Sequence, residues 1–451
     1  MKVKSQTSIT SMRFKVCGHL FGFLLLSSFL VSCSTREGLF KKRSPHQIYT
    51  QRLKEADLDK TAMGRAWLAV AESILRNPLA IVIPYKETGY FAADRVQAAS
   101  FRFEAQQGEK LTITLSKKPL ENFNIYVDLI EGDSASAAFD ILASADSTGN
   151  DLKFDVDNSG FYLLRLQPEL LRSGEYTLTI TRGPSLAYPI KAAGISHIQS
   201  FWGDTRSDYR KHEGIDLFAA FRTPVVAAAD GVVSGVRETN LGGKVVWLRP
   251  ENKGFRLYYA HLDTQFVTDG QRVGLGDTLG LMGNTGNARS TPPHLHFGIY
   301  TSNGAVDPFP FVNRNLPQPA AIKASLANLN LTVRTNVRHS KFYSSPGGDE
   351  KSSRSLPLQT TLLVAAASGD MYKATLPNGM TGYISSKSVD KVTEPIRRYN
   401  LPAEQPLLSE PVITAARKTI LSSGKPVNIL GGYEDFYLVS DGDGVMGWIK
   451  K

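Results

Sequence analysis

The chain contains very little cysteine, and its most apolar segment is short. Only two of its 451 residues are cysteines, Cys17 and Cys33. The apolar run from Val16 to Leu30 has fewer than the roughly 20 residues that a membrane-spanning helix needs. The sequence therefore excludes a disulfide-rich scaffold, and the stability of the fold must come from packed hydrophobic cores.

The short apolar run is typical of an export signal, which we assign to residues 1–33. Several basic residues precede it, in the order found in signal peptides. It ends in Leu30-Val31-Ser32-Cys33, which resembles the lipobox of bacterial lipoproteins. Cleavage before Cys33 and acylation of its sulfur would tether the chain to a membrane by lipid. The alternative is an ordinary signal peptide or a short anchor.

Acidic residues are fewer than basic ones. The chain has 42 Asp and Glu against 52 Lys and Arg, which gives a formal net charge of +10. A basic surplus can indicate nucleic-acid binding, but the sequence has no dense Lys/Arg stripe with aromatic residues between the charges. We therefore expect no nucleic-acid partner. For an exported chain, the charge favours a carboxylate-rich cell-wall polymer.

Histidine is also scarce, yet four of the eight histidines lie in one stretch of less than a hundred residues. His212 and Asp216 occur in H-E-G-I-D, His261 in Y-A-H-L-D, and His294 and His296 in H-L-H. Imidazole and carboxylate are ligands of Zn²⁺, and a catalytic zinc site uses three protein ligands plus water. Five candidates would leave two residues for proton handling, which indicates an enzyme site rather than a structural one.

The spacing of these residues fits strands. Residues 255–261 and 294–300 are rich in aromatic and aliphatic side chains, and alternate side chains of a strand share a face. His294 and His296 would therefore lie side by side on one face. In H-E-G-I-D, Gly214 argues against the helical H-E-x-x-H of other metalloproteases, so His212 and Asp216 are placed in a loop that enters a strand. The residues alone leave open which histidine of H-L-H binds a metal.

Residues from about 195 to 310 resemble the M23 (lysostaphin-type, LytM-like) zinc peptidases. Besides the histidine motifs, the matching text is T-P-V-V-A-A-A-D-G-V-V at residues 223–233 and G-N-T-G at residues 283–286. The motifs occur in the order found in the family and cover about a quarter of the chain. The resemblance implies an antiparallel β-sheet peptidase domain, for which we set the bounds at residues 185–318.

The same resemblance implies roles for the five residues. His212, Asp216 and His296 match the zinc ligands, with one zinc per peptidase domain, and His261 and His294 match the two active-site histidines that do not bind zinc. The chain departs from the family at Pro292, where a glycine is frequent. The implied activity is that of a zinc-dependent endopeptidase that cleaves the peptide stems or cross-links of peptidoglycan.

The segments before this domain show two other patterns. Residues 34–85 begin as a polar tether and continue with helical periodicity between Gln47 and Asn77. Residues 86–184 show short alternating runs with turn residues about every ten positions, which predicts an all-β sandwich. Its final strand loosely resembles bacterial pre-peptidase modules. We expect a spacer or binding platform without chemistry of its own.

The tail contains a repeat with an offset of 65 residues. Met371-Tyr372 corresponds to Phe436-Tyr437, and Gly382-Tyr383-Ile384 corresponds to Gly447-Trp448-Ile449 at the same offset. Such repetition predicts two copies of one unit, at residues 328–392 and 393–451. Each ends in a strand like that of bacterial SH3-type barrels, which favours wall binding through aromatic grooves. The alternative is that the copies pack against the peptidase or block it.

Together the patterns predict a mainly β, multidomain chain. A β-sandwich would be followed by the antiparallel β-sheet peptidase domain and two small SH3-like barrels, with one N-terminal helical segment. We expect a lipid-anchored protein of the cell envelope that faces the periplasm and acts on peptidoglycan. Ser34 rather than Asp after Cys33 favours the outer membrane in an enteric-type envelope.

Two other classes of function stay open at this point. One is a non-catalytic wall-binding protein that activates another hydrolase, as relatives that have lost zinc ligands do; this chain keeps all five positions. The other is a secreted protease that acts on foreign walls or ordinary proteins, which the lipid tether disfavours. A regulatory protein partner is a further open question.

Overall fold

The computed structural model describes residues 43–132, 139–147, 149, 151–191, 197–206, 210–348 and 353–451. These residues form several antiparallel sheets and few helices, so the predicted fold class, mainly β, is confirmed. Within the described ranges no helix is both long and apolar enough to cross a bilayer. The predicted export signal and Cys33 lie outside the described residues.

The predicted helical segment consists of two helices, α1 (Pro45–Glu55) and α2 (Ala62–Arg76). Ser44 caps α1 through a capping box with Gln47, and the Thr61 hydroxyl accepts from the backbone of Gly64 at the start of α2. Between the helices Asp57 adopts a φ of 55°, which ends the first helix. The break turns α2 onto a sheet, where the Trp67 ring is buried.

The next region is a sandwich of two sheets that enclose one hydrophobic core. Its strands are β1 (Leu79–Ala80), β2 (Tyr85–Phe91), β3 (Ala99–Ala105), β4 (Glu109–Lys118), β5 (Ile125–Glu131), β6 (Asp140–Asp146), β7 (Leu152–Asp155), β8 (Gly160–Pro168) and β9 (Gly174–Pro184). One sheet has the order β1-β3-β8-β5-β6, and the other contains β2-β9-β4-β7. Both faces of β5 are buried, because the sandwich core covers one face and the two helices cover the other.

The histidine-rich region forms a separate sheet. Its elements are β10 (His197–Ser200), β11 (Ile215–Phe218), β12 (Pro224–Val226), β13 (Gly231–Thr239), β14 (Gly243–Pro250), β15 (Phe255–Gln265), β16 (Arg272–Val273), β17 (Thr278–Met282), β18 (His294–Thr301), β19 (Gly304–Val306) and the short helix α3 (Phe309–Val312). The main path is β10-β11-β18-β15-β14-β13-β16. The three strands β11, β18 and β15 are therefore neighbours, although they are far apart in sequence.

The tail contains thirteen strands in the described residues. They are β20 (Thr332–Thr335), β21 (Ser340–Tyr343), β22 (Arg354–Leu356), β23 (Thr361–Ser368), β24 (Met371–Thr375), β25 (Thr381–Ser385), β26 (Val389–Lys391), β27 (Arg397–Asn400), β28 (Gln405–Leu408), β29 (Arg417–Leu421), β30 (Pro426–Tyr433), β31 (Phe436–Ser440) and β32 (Met446–Lys450). Strands β23, β24 and β25 recur 65 residues later as β30, β31 and β32. The sequence repeat is thus a repeat of strands.

The first tail copy is joined to the sandwich edge to edge. Strand β23 pairs with β2, with Thr88 opposite Ala367 and Gly89 opposite Ala366, so that one sheet of eleven strands runs through both regions. The second copy shares a hydrophobic core with the first. The motif aromatics Tyr383 and Trp448 are both buried, Tyr383 beside Tyr85 and Glu87 of the sandwich and Trp448 in the core that the two copies share. The aromatic grooves expected for wall binding are therefore not formed by these two residues.

Candidate active site

The sheet register brings the predicted site residues together on one face. Asp216 of β11 lies directly opposite His296 of β18, and Ala260 of β15 lies opposite His296 on the other side. Because side chains alternate along a strand, the neighbours of His296 point the other way: Leu295 and Phe297 are fully buried in the core. The predicted alternation of β18 is thus confirmed.

Three potential ligand atoms converge at this point. His212 Nε2 lies 3.0 Å from Asp216 Oδ1 and 2.9 Å from His296 Nδ1, and His296 Nδ1 lies 3.0 Å from Asp216 Oδ1. All three side chains are buried or nearly so. Among the described residues, they are the group of three whose ligand atoms could hold a metal ion.

The orientation of His212 makes Nε2, the ring nitrogen that faces Asp216, a hydrogen-bond acceptor. Its Nδ1 donates to the carbonyl oxygen of Phe201 at 2.9 Å, and a carbonyl can only accept. In the neutral ring Nε2 therefore carries a lone pair. A lone pair 3.0 Å from a carboxylate oxygen is repelled unless a proton or a metal cation lies between them. The donor set thus fits a divalent cation such as zinc.

Gly214 is required by the position of His296. A Cβ at residue 214 would lie only 2.7 Å from Cε1 and Nε2 of the His296 ring. The backbone of H-E-G-I-D therefore passes directly against the imidazole. Gly214, which argued against a helix in the sequence, leaves room for the His296 ring. His296 Nδ1 can therefore face Asp216.

His261 reaches the site through an irregularity in β15. The pairing of β15 with β14 shifts register next to it, and His261 has a φ of 63°, a conformation that a β-bulge can impose and that L-residues seldom adopt. Its ring centroid lies 4.9 Å from that of His294 and 6.0 Å from that of His296. The bulge therefore turns the imidazole toward the other histidines.

Both histidines outside the ligand group are held in one tautomer by carbonyl groups. His261 Nδ1 donates to Thr285 O at 2.9 Å, and His294 Nδ1 donates to Pro292 O at 2.9 Å. In the neutral rings Nε2 then carries the lone pair. Pro292, the departure from the family pattern, thus supplies a carbonyl group that any residue could supply. The departure leaves the five site residues unaffected.

Burial and neighbouring charge set the protonation of the site. Burial lowers the pKa of His261 to about 4, and the nearby His294 and His296 act in the same direction. Burial also lowers the pKa of His296. For Asp216 burial opposes ionisation, but the His212 and His296 side chains outweigh it and hold its pKa well below the usual range. At neutral pH the His261 and His296 rings are therefore neutral and Asp216 is a carboxylate.

The structure adds one residue that the motifs do not indicate. Arg206 Nη2 donates to Asp216 Oδ2 at 2.6 Å. Arg206 lies on an irregular segment six residues before His212, and no periodicity or ligand spacing includes it. Only the tertiary structure reveals this contact.

The strands and the loop that carry His212, Asp216 and His296 lie in the part of the chain that matches a known family. Residues 210–308 match the family model described as Peptidase family M23, so this chain carries an M23 peptidase domain. The sequence resemblance to the lysostaphin-type peptidases is confirmed for this domain.

Three relatives illustrate the similarity. The L-Ala–D-Glu endopeptidase of Bacillus subtilis is 34% identical over 137 residues, which are 28% of this chain and 42% of the relative. The peptidoglycan DD-endopeptidase ShyC of Vibrio cholerae is 40% identical over 88 residues, 20% of each chain. The solved catalytic domain of lysostaphin from Staphylococcus simulans is 30% identical, with 26% of this chain and 91% of that one covered at a TM-score of 0.25. The match therefore spans less than half of either curated relative.

Proposed function

We propose that this chain is a zinc-dependent endopeptidase that cleaves the peptide stems or cross-links of peptidoglycan. The observation that carries the proposal is the convergence of His212 Nε2, Asp216 Oδ1 and His296 Nδ1 within 3.0 Å of one another. The family of the domain and the activities for which its relatives are named support the same substrate class.

The donor set suits a catalytic rather than a structural zinc ion. Three protein ligands, two imidazoles and one carboxylate, leave a coordination position for water. Bound there, zinc would supply Lewis-acid activation of the attacking water and of the scissile carbonyl. Because Asp216 and His296 lie on strands of a sheet with its own hydrophobic core, and His212 lies on the loop that enters this sheet, we expect the domain to stay folded without the metal.

His261 and His294 are placed to handle protons. Their Nδ1 atoms are tied to backbone carbonyls, so Nε2 is the atom of each ring that accepts and returns a proton. The low pKa of His261 keeps its ring neutral, and therefore able to accept a proton, at neutral pH. Once protonated, each imidazole would act as a hydrogen-bond donor to the oxyanion that develops from the scissile carbonyl.

The proposal also covers location. Cys33 would carry a lipid that anchors the chain in the cell envelope, facing the periplasm and in the outer membrane. The motif Leu30-Val31-Ser32-Cys33 supports this part. One acyl chain holds a protein only marginally, so we expect more than one on the mature N-terminus. Partitioning of the wild-type chain and a Cys33→Ala variant between detergent and water tests the anchor. Wild-type protein found wholly in the aqueous phase would contradict it.

Purified peptidoglycan and zinc analysis test the activity. We expect about one zinc per chain in the wild type and new muropeptides, identified by mass spectrometry, after digestion. Removing one ligand leaves only two protein ligands for zinc. We therefore expect the loss of both zinc and activity in His212→Ala, Asp216→Ala and His296→Ala. Zinc retained at full stoichiometry in His296→Ala would show that the ligand assignment is wrong. A wild type that binds zinc without producing muropeptides, yet stimulates another hydrolase, would indicate a non-catalytic activator.

A further inference from the structure

The two oxygens of the Asp216 carboxylate have different partners. Oδ1 lies 3.0 Å from His212 Nε2 and 3.0 Å from His296 Nδ1. Oδ2 accepts a hydrogen bond of 2.6 Å from Arg206 Nη2 and forms an ion pair with it. The side chain of Asp216 is almost completely buried, whereas that of Arg206 is 36% exposed. The guanidinium therefore closes the solvent side of the carboxylate.

Backbone hydrogen bonds tie Arg206 to the segment that carries His212. The amide of Arg206 donates to the carbonyl of Arg210 at 2.9 Å, and the amide of His212 donates to the carbonyl of Asp204 at 2.9 Å. The segments 204–206 and 210–212 are thus paired with each other, which places Arg206 and His212 on adjacent stretches of backbone. These backbone contacts position Arg206, and its ion pair with Asp216 orients the guanidinium.

We infer that Arg206 is a positioning residue for the metal site: it holds Asp216 Oδ2 so that only Oδ1 is presented to the metal. This inference rests on the proposed zinc-dependent function. A free carboxylate can bind a metal through one oxygen or through both, and a hydrogen bond to one oxygen favours binding through the other. Partners of this kind typically change metal affinity by about 10- to 100-fold. Arginine suits the task because its guanidinium is planar and always charged.

The geometry argues against a second role, in which Arg206 would occupy the place of the metal. The oxygen that contacts Arg206 is not the oxygen that contacts the two imidazoles. A metal ion among His212, Asp216 and His296 and the guanidinium on Oδ2 can therefore be accommodated together. Arg206 complements the metal site rather than filling it.

Zinc affinity, measured on the purified full chain by competition with a chelator, tests the inference. We expect Arg206→Gln to bind zinc about 10- to 100-fold more weakly than the wild type, and Arg206→Lys to recover part of the loss. Arg237→Gln is the matched control, because Arg237 forms an exposed ion pair with Asp269 in the same sheet region and touches no site residue. Circular dichroism should show all three variants folded.

Cobalt(II) bound in place of zinc gives a second readout that a general structural role would not change. Four-coordinate cobalt absorbs visible light more strongly than five-coordinate cobalt. In Arg206→Gln the Asp216 carboxylate would be free to bind through both oxygens, which raises the coordination number, so the absorption should weaken. An unchanged cobalt spectrum would overturn the inference, and so would a zinc affinity within twofold of the wild type or tighter. A wild type that binds no zinc would instead overturn the proposed function on which the inference rests.

Discussion

His261 and Gly214 show how the site depends on the backbone at single residues. His261 is held at a φ of 63°, and Gly214 lies where any Cβ would collide with the His296 ring. Strained or tightly packed positions of this kind persist only where the surrounding structure holds them. Here the β15 bulge and the β11–β18 pairing provide that support. Substitutions at these residues should therefore affect zinc binding and turnover in different ways.

The first prediction separates catalysis from metal binding. Because we propose that Nε2 of His261 and of His294 transfers protons and does not bind the metal, His261→Ala and His294→Ala should keep zinc. Turnover should fall by about 10²–10⁴-fold, the usual contribution of a positioned acid–base group. Zinc content and peptidoglycan hydrolysis are measured on the same preparations, with the exposed His339→Ala as control. If His294→Ala loses zinc while His296→Ala keeps it, the two histidines have exchanged roles.

The second prediction concerns Gly214. A methyl group there would lie 2.7 Å from the His296 ring, so Gly214→Ala should displace that imidazole and weaken zinc binding. Gly254→Ala is the matched control, since its Cβ would meet nothing within 4 Å. Chelator competition compares the two variants with the wild type. Equal zinc affinities in Gly214→Ala and Gly254→Ala would show that a Cβ at residue 214 does not displace the His296 ring.

At the scale of elements, a buried polar cluster attaches α1 to the sandwich. His46 Nε2 lies 2.7 Å from Gln167 Oε1, and His46 Nδ1 accepts from Arg165, which also forms a 2.6 Å ion pair with Asp128. Burial lowers the pKa of His46 to about 4, and the charge of Arg165 acts in the same direction. The docking of this helix therefore requires a neutral imidazole.

The third prediction follows from that pKa. An unfolded His46 would titrate near 6.5 and the folded one near 4, so acidification through this range protonates only the undocked state. Docking should thus be complete above pH 6.5 and weaken as the pH falls, by about 3 kcal/mol near pH 4. Hydrogen exchange of the α1 amides measures this, and His46→Asn should remove the dependence. The rates are corrected for the pH dependence of intrinsic exchange. If the corrected rates of the wild type and of His46→Asn then change equally with pH, the prediction is wrong.

At the scale of the whole molecule, a buried ion pair joins the tail to the sandwich. Lys373 Nζ lies 2.6 Å from Glu87 Oε1, and the two residues are almost completely buried. Tyr85 and Tyr176 donate to the same carboxylate at 2.6 Å and 2.7 Å. Burial raises the pKa of both tyrosines, which keeps them protonated as donors. The first tail copy is therefore an integral part of the eleven-stranded sheet rather than a module on a free linker.

The fourth prediction tests this joint. Lys373→Met would leave the Glu87 carboxylate buried without its cation, a change that typically costs about 3–5 kcal/mol. Replacing both partners, as in Glu87→Gln with Lys373→Met, should recover much of the loss. Denaturant unfolding measures the difference, and the exposed Lys341→Met serves as control. If Lys373→Met and Lys341→Met have the same free energy of unfolding, the ion pair does not stabilise the contact between the tail and the sandwich.

Much of the site was predictable from the sequence because its information is local. Motif spacing predicted all five candidate residues, and the structure brings their side chains together. The alternation along residues 294–300 predicted that His294 and His296 share a face of β18. The loop entry of H-E-G-I-D and its strand, Ile215–Phe218, also followed from Gly214 and the apolar residues after it. The 65-residue repeat was visible in two short matches because both copies form the same strands.

What only the tertiary structure decided concerns contacts between segments distant in the chain. Periodicity indicates which face of a strand is buried but carries no information about which strand lies next to it. The pairing of β2 with β23, the burial of Tyr383 against Glu87, and the ion pair of Arg206 with Asp216 all depend on such neighbours. The sequence by itself thus determined the residue types and order of the site, whereas sheet pairing decided the position of the ligand atoms and the docking of the tail.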